Sequence, residues 1–172
     1  KTDPIFPDIL FESCASGGGR FDAGMLYYAP QCWASDDTDA VERIKIQYGT
    51  SMVYPLSSIG AHVSAVPNHQ VKRMTSIGFR ANVAFFGYEL DPNQMTEAEQ
   101  SAVMEQIQFY KKYRNVFQYG RFYRLKDPFE NQGDAAWMVV SEDRKTAIVS
   151  CYKVLATPNP KLKKVLLRGL DP

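Results

Sequence analysis

Three aspartates, Asp36, Asp37 and Asp39, lie within four residues of one another. An apolar, strand-like run precedes them, and an amphipathic helical pattern follows at once. Carboxylates at the junction between a strand's end and a helix's start are where α/β enzymes usually keep their chemistry. A carboxyl can act as a general acid/base when its pKa is raised toward neutrality, which a neighbouring carboxylate or a water-excluding indole favours. The cluster is therefore a candidate acid/base site.

Two other interpretations of the aspartate cluster stay open. Helix capping accounts for Asp39, which has Glu42 three residues later as in a capping box, and it is an equal alternative for Asp36 and Asp37. A divalent-metal site is the weaker alternative, because no second oxygen-rich cluster is evident and the loop lacks the ligand spacing of an EF-hand.

A glycine-rich loop, Ser16-Gly17-Gly18-Gly19, follows the first strand-like run, which ends near Cys14. The loop could bring backbone N–H groups to a sugar hydroxyl, or it could be a plain tight turn. It lacks the lysine and the glycine register of nucleotide-binding loops. Cys14 could pair with His62 or His69, although an inert thiol is the commoner state. We interpret both histidines as structural or rim residues, with His62 the candidate for bordering a pocket.

Alternating strand-like and helical segments carry these residues. Strands are predicted at 8–14 (buried), 31–35 and 83–90, a third unit at 51–64, and helices at 40–47, at 71–81 and from Thr96 to about residue 116. In the first helix Val41 and Ile44 are placed inward, and Glu42, Arg43 and Lys45 toward solvent. About four parallel βα units without a Rossmann fingerprint favour half of a (β/α)8 TIM barrel, in an α/β fold. A doubly wound sheet stays open.

The pattern changes after Gly120. Strand-like segments at 121–126, 135–141, 146–156 and 162–168 follow one another without a helical pattern, and residues 142–145 form a hairpin-turn sequence. This indicates an antiparallel β region of about four strands, which is few for a self-standing sandwich. The predicted domains are 1–119 and 120–172.

The composition is that of an ordinary globular protein. The net charge is +1 and the basic residues are dispersed, which gives no footprint for nucleic acid or an anionic membrane. Cys14, Cys32 and Cys151 are far apart and predict reduced thiols in a cytoplasmic protein. No apolar run approaches membrane-spanning length and no secretory signal opens the chain. Both ends look cut from something longer.

Five blocks of the sequence resemble, in order, blocks of the bacterial family 36 α-galactosidases. Residues 11–22 are similar to the glycine-rich block of that family, and residues 33–40 are similar to its acid/base loop. The later blocks are residues 48–51, 60–63 and 87–91. The resemblance covers essentially the whole chain.

This resemblance implies a retaining hydrolase on a (β/α)8 barrel, with a β-sandwich before it and an antiparallel β domain after it. It implies action on terminal α-linked galactose of melibiose- and raffinose-type sugars, without a cofactor or metal, and often as a tetramer. By position, Asp36 corresponds to the general acid/base, and Cys14 and Gly17 correspond to the galactose subsite. Trp33, which would exclude water, and Asp37, which would orient Asp36, complete the expected substrate-binding set.

One family element has no counterpart in the chain. The family nucleophile is an aspartate in a Lys-aromatic-Asp motif after the fourth barrel strand, and the sequence contains no such motif. The chain is therefore expected to begin before the fifth strand, to end inside the C-terminal sheet and to be inactive alone. A half barrel would also expose sheet edges and an apolar inner face, which predicts either tight self-association or poor stability in solution. The alternative is a non-catalytic carbohydrate-binding or assembly module.

Overall fold

The computed structural model describes residues 5–14, 21–160 and 162–171. Short 3₁₀ turns occupy Met25–Tyr27, Leu56–Ser58 and Pro92–Gln94. The strands and helices, in chain order, are β1 (Glu12–Cys14), β2 (Gln31–Trp33), α1 (Ala40–Thr50), β3 (Ile59–Gly60), β4 (His62–Val63), α2 (Ile77–Ala84), β5 (Glu89–Leu90), α3 (Glu97–Tyr119), β6 (Arg121–Lys126), β7 (Ala135–Val140) and β8 (Ala147–Tyr152).

The first five strands pair in parallel, as the alternation of strands and helices predicts. Strands β1, β2 and β3 form one sheet in that order, with Cys14 opposite Trp33 and Trp33 opposite Gly60. Strands β4 and β5 form a second parallel pair, in which His62 lies opposite Glu89. Parallel strands present their carboxyl ends at the same edge of a sheet, so the ends of β1, β2 and β3 lie side by side.

Helix α1 begins where the sequence places its cap. The Asp39 carboxylate accepts hydrogen bonds from the backbone N–H groups of Val41 and Glu42, each at 3.1 Å. Ile44 and Tyr48 are buried four residues apart on the inner face, and the helix runs three residues beyond the predicted end at 47, to Thr50. Arg43 was expected to face solvent, and that expectation is wrong, because this side chain is buried against the sheet.

Helix α3 confirms the predicted capping box. The Thr96 hydroxyl accepts from the Glu99 N–H, and the Glu99 carboxylate accepts from the Thr96 N–H. Two satisfied donors fix the start of the helix. It extends to Tyr119, slightly further than predicted, and Val103 and Phe117 are its buried residues. No helix in the described part of the chain is long and apolar enough to cross a membrane.

Two predictions between α1 and α3 are wrong. Helix α2 begins after Ser76, so Val71 and Met74 lie in an exposed loop instead of on a helix. The apolar run from Val83, predicted as a strand over 83–90, instead ends helix α2, and only Glu89–Leu90 is extended. A short buried apolar run fits a helix end as well as a strand, so the residue pattern could not separate the two.

The predicted buried strand 8–14 is largely wrong. Only Glu12–Cys14 pairs with a neighbour, and Ile9, Leu10 and Phe11 have 50%, 77% and 43% of their surface exposed. The apolar composition suits a strand covered on both faces. The described part of the chain nevertheless leaves Ile9, Leu10 and Phe11 exposed to solvent.

The C-terminal region is antiparallel, as predicted, but it has three strands in the described part of the chain instead of four. Strand β7 is buried along its whole length between β6 and β8, and residues 142–145 form the expected turn between β7 and β8. Residues 162–168 form no strand, and Leu162, Leu166 and Leu167 are exposed. This tail is held by side chains instead, since Lys163 pairs with Asp134.

One buried cluster joins the helices to the antiparallel sheet. It includes Phe85 and Phe117, whose rings are stacked, and Trp137 and Tyr152, whose rings are tilted toward each other. The Tyr152 hydroxyl also donates to the Asn82 carbonyl at 2.8 Å, which joins β8 to α2. The same cluster includes Ile59 of β3 and Val63 of β4, so these two parallel strands pack on the core that the helices share with the antiparallel sheet.

Candidate active site

Asp36 lies in the loop that leaves the central strand of the three-stranded parallel sheet. Its side chain is exposed, and its Oδ1 accepts a hydrogen bond of 3.1 Å from the Trp33 indole Nε1–H, at the last residue of β2. No hydrogen bond to the second carboxylate oxygen is found within residues 5–14, 21–160 and 162–171. Asp36 thus combines one fixed oxygen with one oxygen available to a substrate.

The other two aspartates are engaged with backbone. Asp37 accepts from the Asp39 N–H at 3.0 Å, and its own N–H donates to the Ser35 hydroxyl at 3.2 Å. Asp39 is 2% exposed, caps α1 and pairs with Arg73. Capping thus explains Asp39 and part of Asp37, and it does not explain Asp36.

A second loop braces the aspartate loop, and sequence reasoning missed it. The Gln70 side chain donates to the Asp36 carbonyl and accepts from the Thr38 N–H, both at 3.0 Å. Buried Asn68 donates to the Thr38 hydroxyl at 3.0 Å, and Ser64 donates to the Thr38 carbonyl at 2.7 Å. These partners are about thirty residues away along the chain, so no local pattern could have indicated them.

The Trp33 ring has two cationic or aromatic neighbours. The Arg43 guanidinium carbon lies 4.5 Å from the ring centroid, and the His62 ring stacks on it with centroids 4.8 Å apart and an interplanar angle of 14°. Burial, followed by Arg43 and then His69, lowers the pKa of His62. The imidazole beside Trp33 is therefore neutral at neutral pH.

Cys14 and Gly17 complete the expected substrate-binding residues. Cys14 is the last residue of β1, is exposed and lies opposite Trp33 in the parallel register. The structure therefore places Cys14 beside β2, at the edge from which the Asp36 loop emerges. Gly17 lies outside the described residues. Within the described ranges Cys14 makes no hydrogen bond to a histidine, so the structure gives no support to a thiol–imidazole pair.

A cavity of about 500 Å³ opens next to this loop, at the ends of β4 and β5. Thr38, both histidines and Glu89 line it, so His62 borders a pocket as the sequence suggested. Burial, and then the nearby Glu12 carboxylate, raises the pKa of Glu89, which accepts a 2.9 Å hydrogen bond from the Gln31 amide. The described residues contain no group of three His, Cys, Asp or Glu side chains that could hold a metal ion.

An exposed carboxyl at the carboxyl end of a parallel strand is in the position where barrel enzymes place their catalytic residues. Residues 2–120 match the sequence model described as Melibiase, and residues 134–172 match the glycosyl hydrolase family 36 C-terminal domain. The chain belongs to the Melibiase family of glycoside hydrolases.

Several similar proteins are named as α-galactosidases. The chain is 59% identical over 169 residues to the α-galactosidase AgaA of Geobacillus stearothermophilus, covering 96% of this chain and 23% of AgaA. A crystal structure of an AgaA variant in complex with raffinose superposes with a TM-score of 0.92 at 57% identity, over 97% of this chain and 24% of that one. The crystal structure of another AgaA variant, in complex with stachyose, superposes with a TM-score of 0.91 at 58% sequence identity and with the same coverage of both chains. The chain thus spans about a quarter of the length of these relatives.

Proposed function

We propose that this chain is the part of a retaining α-galactosidase that supplies the general acid/base, Asp36. The observation that carries the proposal is the exposed Asp36 carboxyl at the carboxyl end of β2, with Oδ1 fixed by Trp33. The neighbouring carboxylates are engaged with backbone, which leaves Asp36 as the one free for proton transfer. The naming of the relatives as α-galactosidases supports galactosides as the substrate class.

The proposed architecture is the second half of a (β/α)8 barrel. Residues 1–119 would contribute barrel strands five to eight with their helices, and residues 120–172 an incomplete C-terminal antiparallel domain. The parallel pairing of β1 to β3 and of β4 with β5 supports this, as does the uncovered apolar stretch before β1. The rest of the barrel, which relatives four times as long would provide, would cover that stretch.

The proposed reaction is a double displacement. Retaining glycosidases place two carboxyls about 5–5.5 Å apart. One, an aspartate supplied by the rest of the protein, would attack the anomeric carbon and form a glycosyl ester. Asp36 would donate its proton to the leaving oxygen as the C–O bond breaks, and would then take a proton from the water that hydrolyses the ester. Trp33, Asp37, Cys14 and Gly17 would surround the galactose.

The proposed substrates are oligosaccharides with a terminal α-linked galactose, of the melibiose and raffinose type. Two carboxyls and water complete the reaction, so it requires no cofactor. We also propose that the complete protein forms a homo-oligomer, on the family resemblance. The three thiols are unpaired, which supports a cytoplasmic location.

A segment exchange tests the proposed function. Residues 1–172 would replace the matching quarter of AgaA, giving what we term the segment-swapped enzyme, in which the remainder of AgaA provides the nucleophile. We expect this enzyme to release galactose from raffinose, and the isolated chain to release none. A folded segment-swapped enzyme that binds galactose by calorimetry but turns over no substrate would instead favour a binding module.

A further inference from the structure

Arg43 projects from α1 toward the sheet and is 4% exposed. Its Nη1 donates to the Ser35 carbonyl at 3.1 Å, and its Nη2 donates to the Gly60 carbonyl at 2.5 Å. Ser35 directly precedes Asp36, and Gly60 is the last residue of β3. One guanidinium therefore ties the first turns of α1 to the peptide before Asp36 and to the neighbouring strand end.

The same guanidinium contacts the ring that holds Asp36. Its carbon is 4.5 Å from the Trp33 ring centroid, within the range of a cation–π contact. The indole N–H of that ring donates to Asp36 Oδ1 at 3.1 Å. Arg43 thus reaches Asp36 by two separate routes, one through the Ser35 peptide and one through the Trp33 indole.

Arg43 is also an unusual residue for a purely structural role. None of the ion pairs in the described part of the chain includes it. A buried cation that forms no direct ion pair is costly, and the nearby Asp37 and Glu89 carboxylates offset only part of the effect of burial on Arg43. An apolar residue of similar size often serves stability as well or better. Burial lowers the pKa of Arg43 to about 10, so it still carries its charge at neutral pH.

We propose that Arg43 is a positioning residue for general acid/base chemistry at Asp36, acting through the Ser35 carbonyl and the Trp33 indole. This inference rests on the proposed function. A general acid must point its proton at the leaving oxygen, and a displacement of about 1 Å can lower a rate about a hundredfold. Planarity matters, because a guanidinium can bond two carbonyls and stack on a ring at once, whereas an ammonium cannot stack in this way.

Two substitutions in the segment-swapped enzyme test the inference. We expect Arg43→Met to lower kcat/KM for raffinose by about tenfold to a hundredfold. The value for dinitrophenyl α-galactoside should fall less than about threefold, because that leaving group departs without protonation. Arg43→Lys should lie between the wild type and Arg43→Met. Arg73→Met is the matched control, since Arg73 also contacts the start of α1 but pairs with Asp39 and Glu42. This control should leave the ratio of kcat/KM for raffinose to kcat/KM for dinitrophenyl α-galactoside unchanged.

The outcomes separate the inference from the function on which it rests. Equal losses on both substrates, or no loss on either, would overturn the positioning role of Arg43. Failure of both Arg43 variants to fold, seen as lost galactose binding and a lost thermal transition, would also overturn it in favour of a structural role. Asp36→Ala serves as the reference. If Asp36→Ala retains full raffinose activity, the proposed function fails. If Asp36→Ala loses raffinose activity but the Arg43 variants retain it, only the positioning inference fails.

Discussion

The indole N–H of Trp33 donates a hydrogen bond to Oδ1 of Asp36 across 3.1 Å, from the last residue of β2 to the loop that follows it. The bond fixes one carboxylate oxygen of Asp36. A strand residue thereby sets the direction of a loop carboxyl, which is more precise than the loop backbone alone would allow.

Trp33→Phe removes this donor and keeps an aromatic ring at the site. We expect kcat/KM of the segment-swapped enzyme for raffinose to fall by about tenfold to a hundredfold, because a hydrogen bond to a charged group contributes about 1.5–3 kcal/mol. Steady-state kinetics would measure this. Trp137→Phe is the control, since the Trp137 Nε1 has no hydrogen-bond partner among the described residues. Equal losses in the two variants would contradict a specific role for the Trp33 donor.

Gln70→Ala removes the side chain that bonds both the Asp36 carbonyl and the Thr38 N–H. The loop then loses its brace, and we expect kcat/KM for raffinose to fall about threefold to tenfold with little change in thermal midpoint. Gln100→Ala is the matched control, because this exposed amide on α3 also donates to backbone carbonyls, those of Pro92 and Met95, but not in the Asp36 loop. An unchanged Gln70→Ala enzyme would show that the loop holds its shape without the brace.

Asp39→Ala leaves two backbone N–H groups at the start of α1 without their acceptor. We expect α1 to lose about 1–2 kcal/mol of local stability. Hydrogen exchange followed by mass spectrometry would detect this as faster exchange in peptides covering Ala40–Thr50. Asp39→Asn keeps an acceptor oxygen and should show a smaller effect. Identical exchange in Asp39→Ala and the wild type would contradict the capping role.

His62 should make stability depend on pH. Its folded pKa lies below the unfolded value, because of burial first and then Arg43 and His69. As the pH falls, the unfolded chain therefore binds the proton before the folded chain does. The contribution of His62 to the free energy of unfolding is fully present above about pH 6.5 and is lost as the pH falls from there through the folded pKa. The thermal midpoint of the segment-swapped enzyme should drop more than that of its His62→Phe variant between about pH 7.5 and pH 5.5. Parallel pH curves for the two proteins would contradict this.

Local signals in the sequence predicted part of this structure. The caps at Asp39 and Thr96 are predictable from sequence because each side chain accepts hydrogen bonds from backbone N–H groups within three residues. Parallel pairing of the first strands and the antiparallel β6–β7–β8 sheet followed from the order of the segments. The end of α2 was missed because Val83 begins an apolar run that fits a buried helix or a strand equally well.

The contacts that arrange the candidate site are not local. Arg43 lies among charged residues on a helix, so the residue pattern predicts an exposed side chain. The side chain is instead buried, where it donates to the Gly60 carbonyl seventeen residues later. Gln70 reaches Asp36 from thirty-four residues away. Such pairings depend on how α1 and the 64–70 loop fold back over the sheet, which residue types and spacing do not specify.

The leaving-group dependence of Asp36→Ala is the most direct test of Asp36 as the general acid/base. In the segment-swapped enzyme, kcat/KM for raffinose should fall about 10²–10⁴-fold, whereas kcat/KM for dinitrophenyl α-galactoside should fall less than about tenfold, since that group needs no proton to depart. Added azide should raise kcat on the dinitrophenyl substrate and give α-galactosyl azide, because azide attacks the glycosyl ester without a general base. Equal losses on the two substrates, with no azide product, would contradict the role assigned to Asp36.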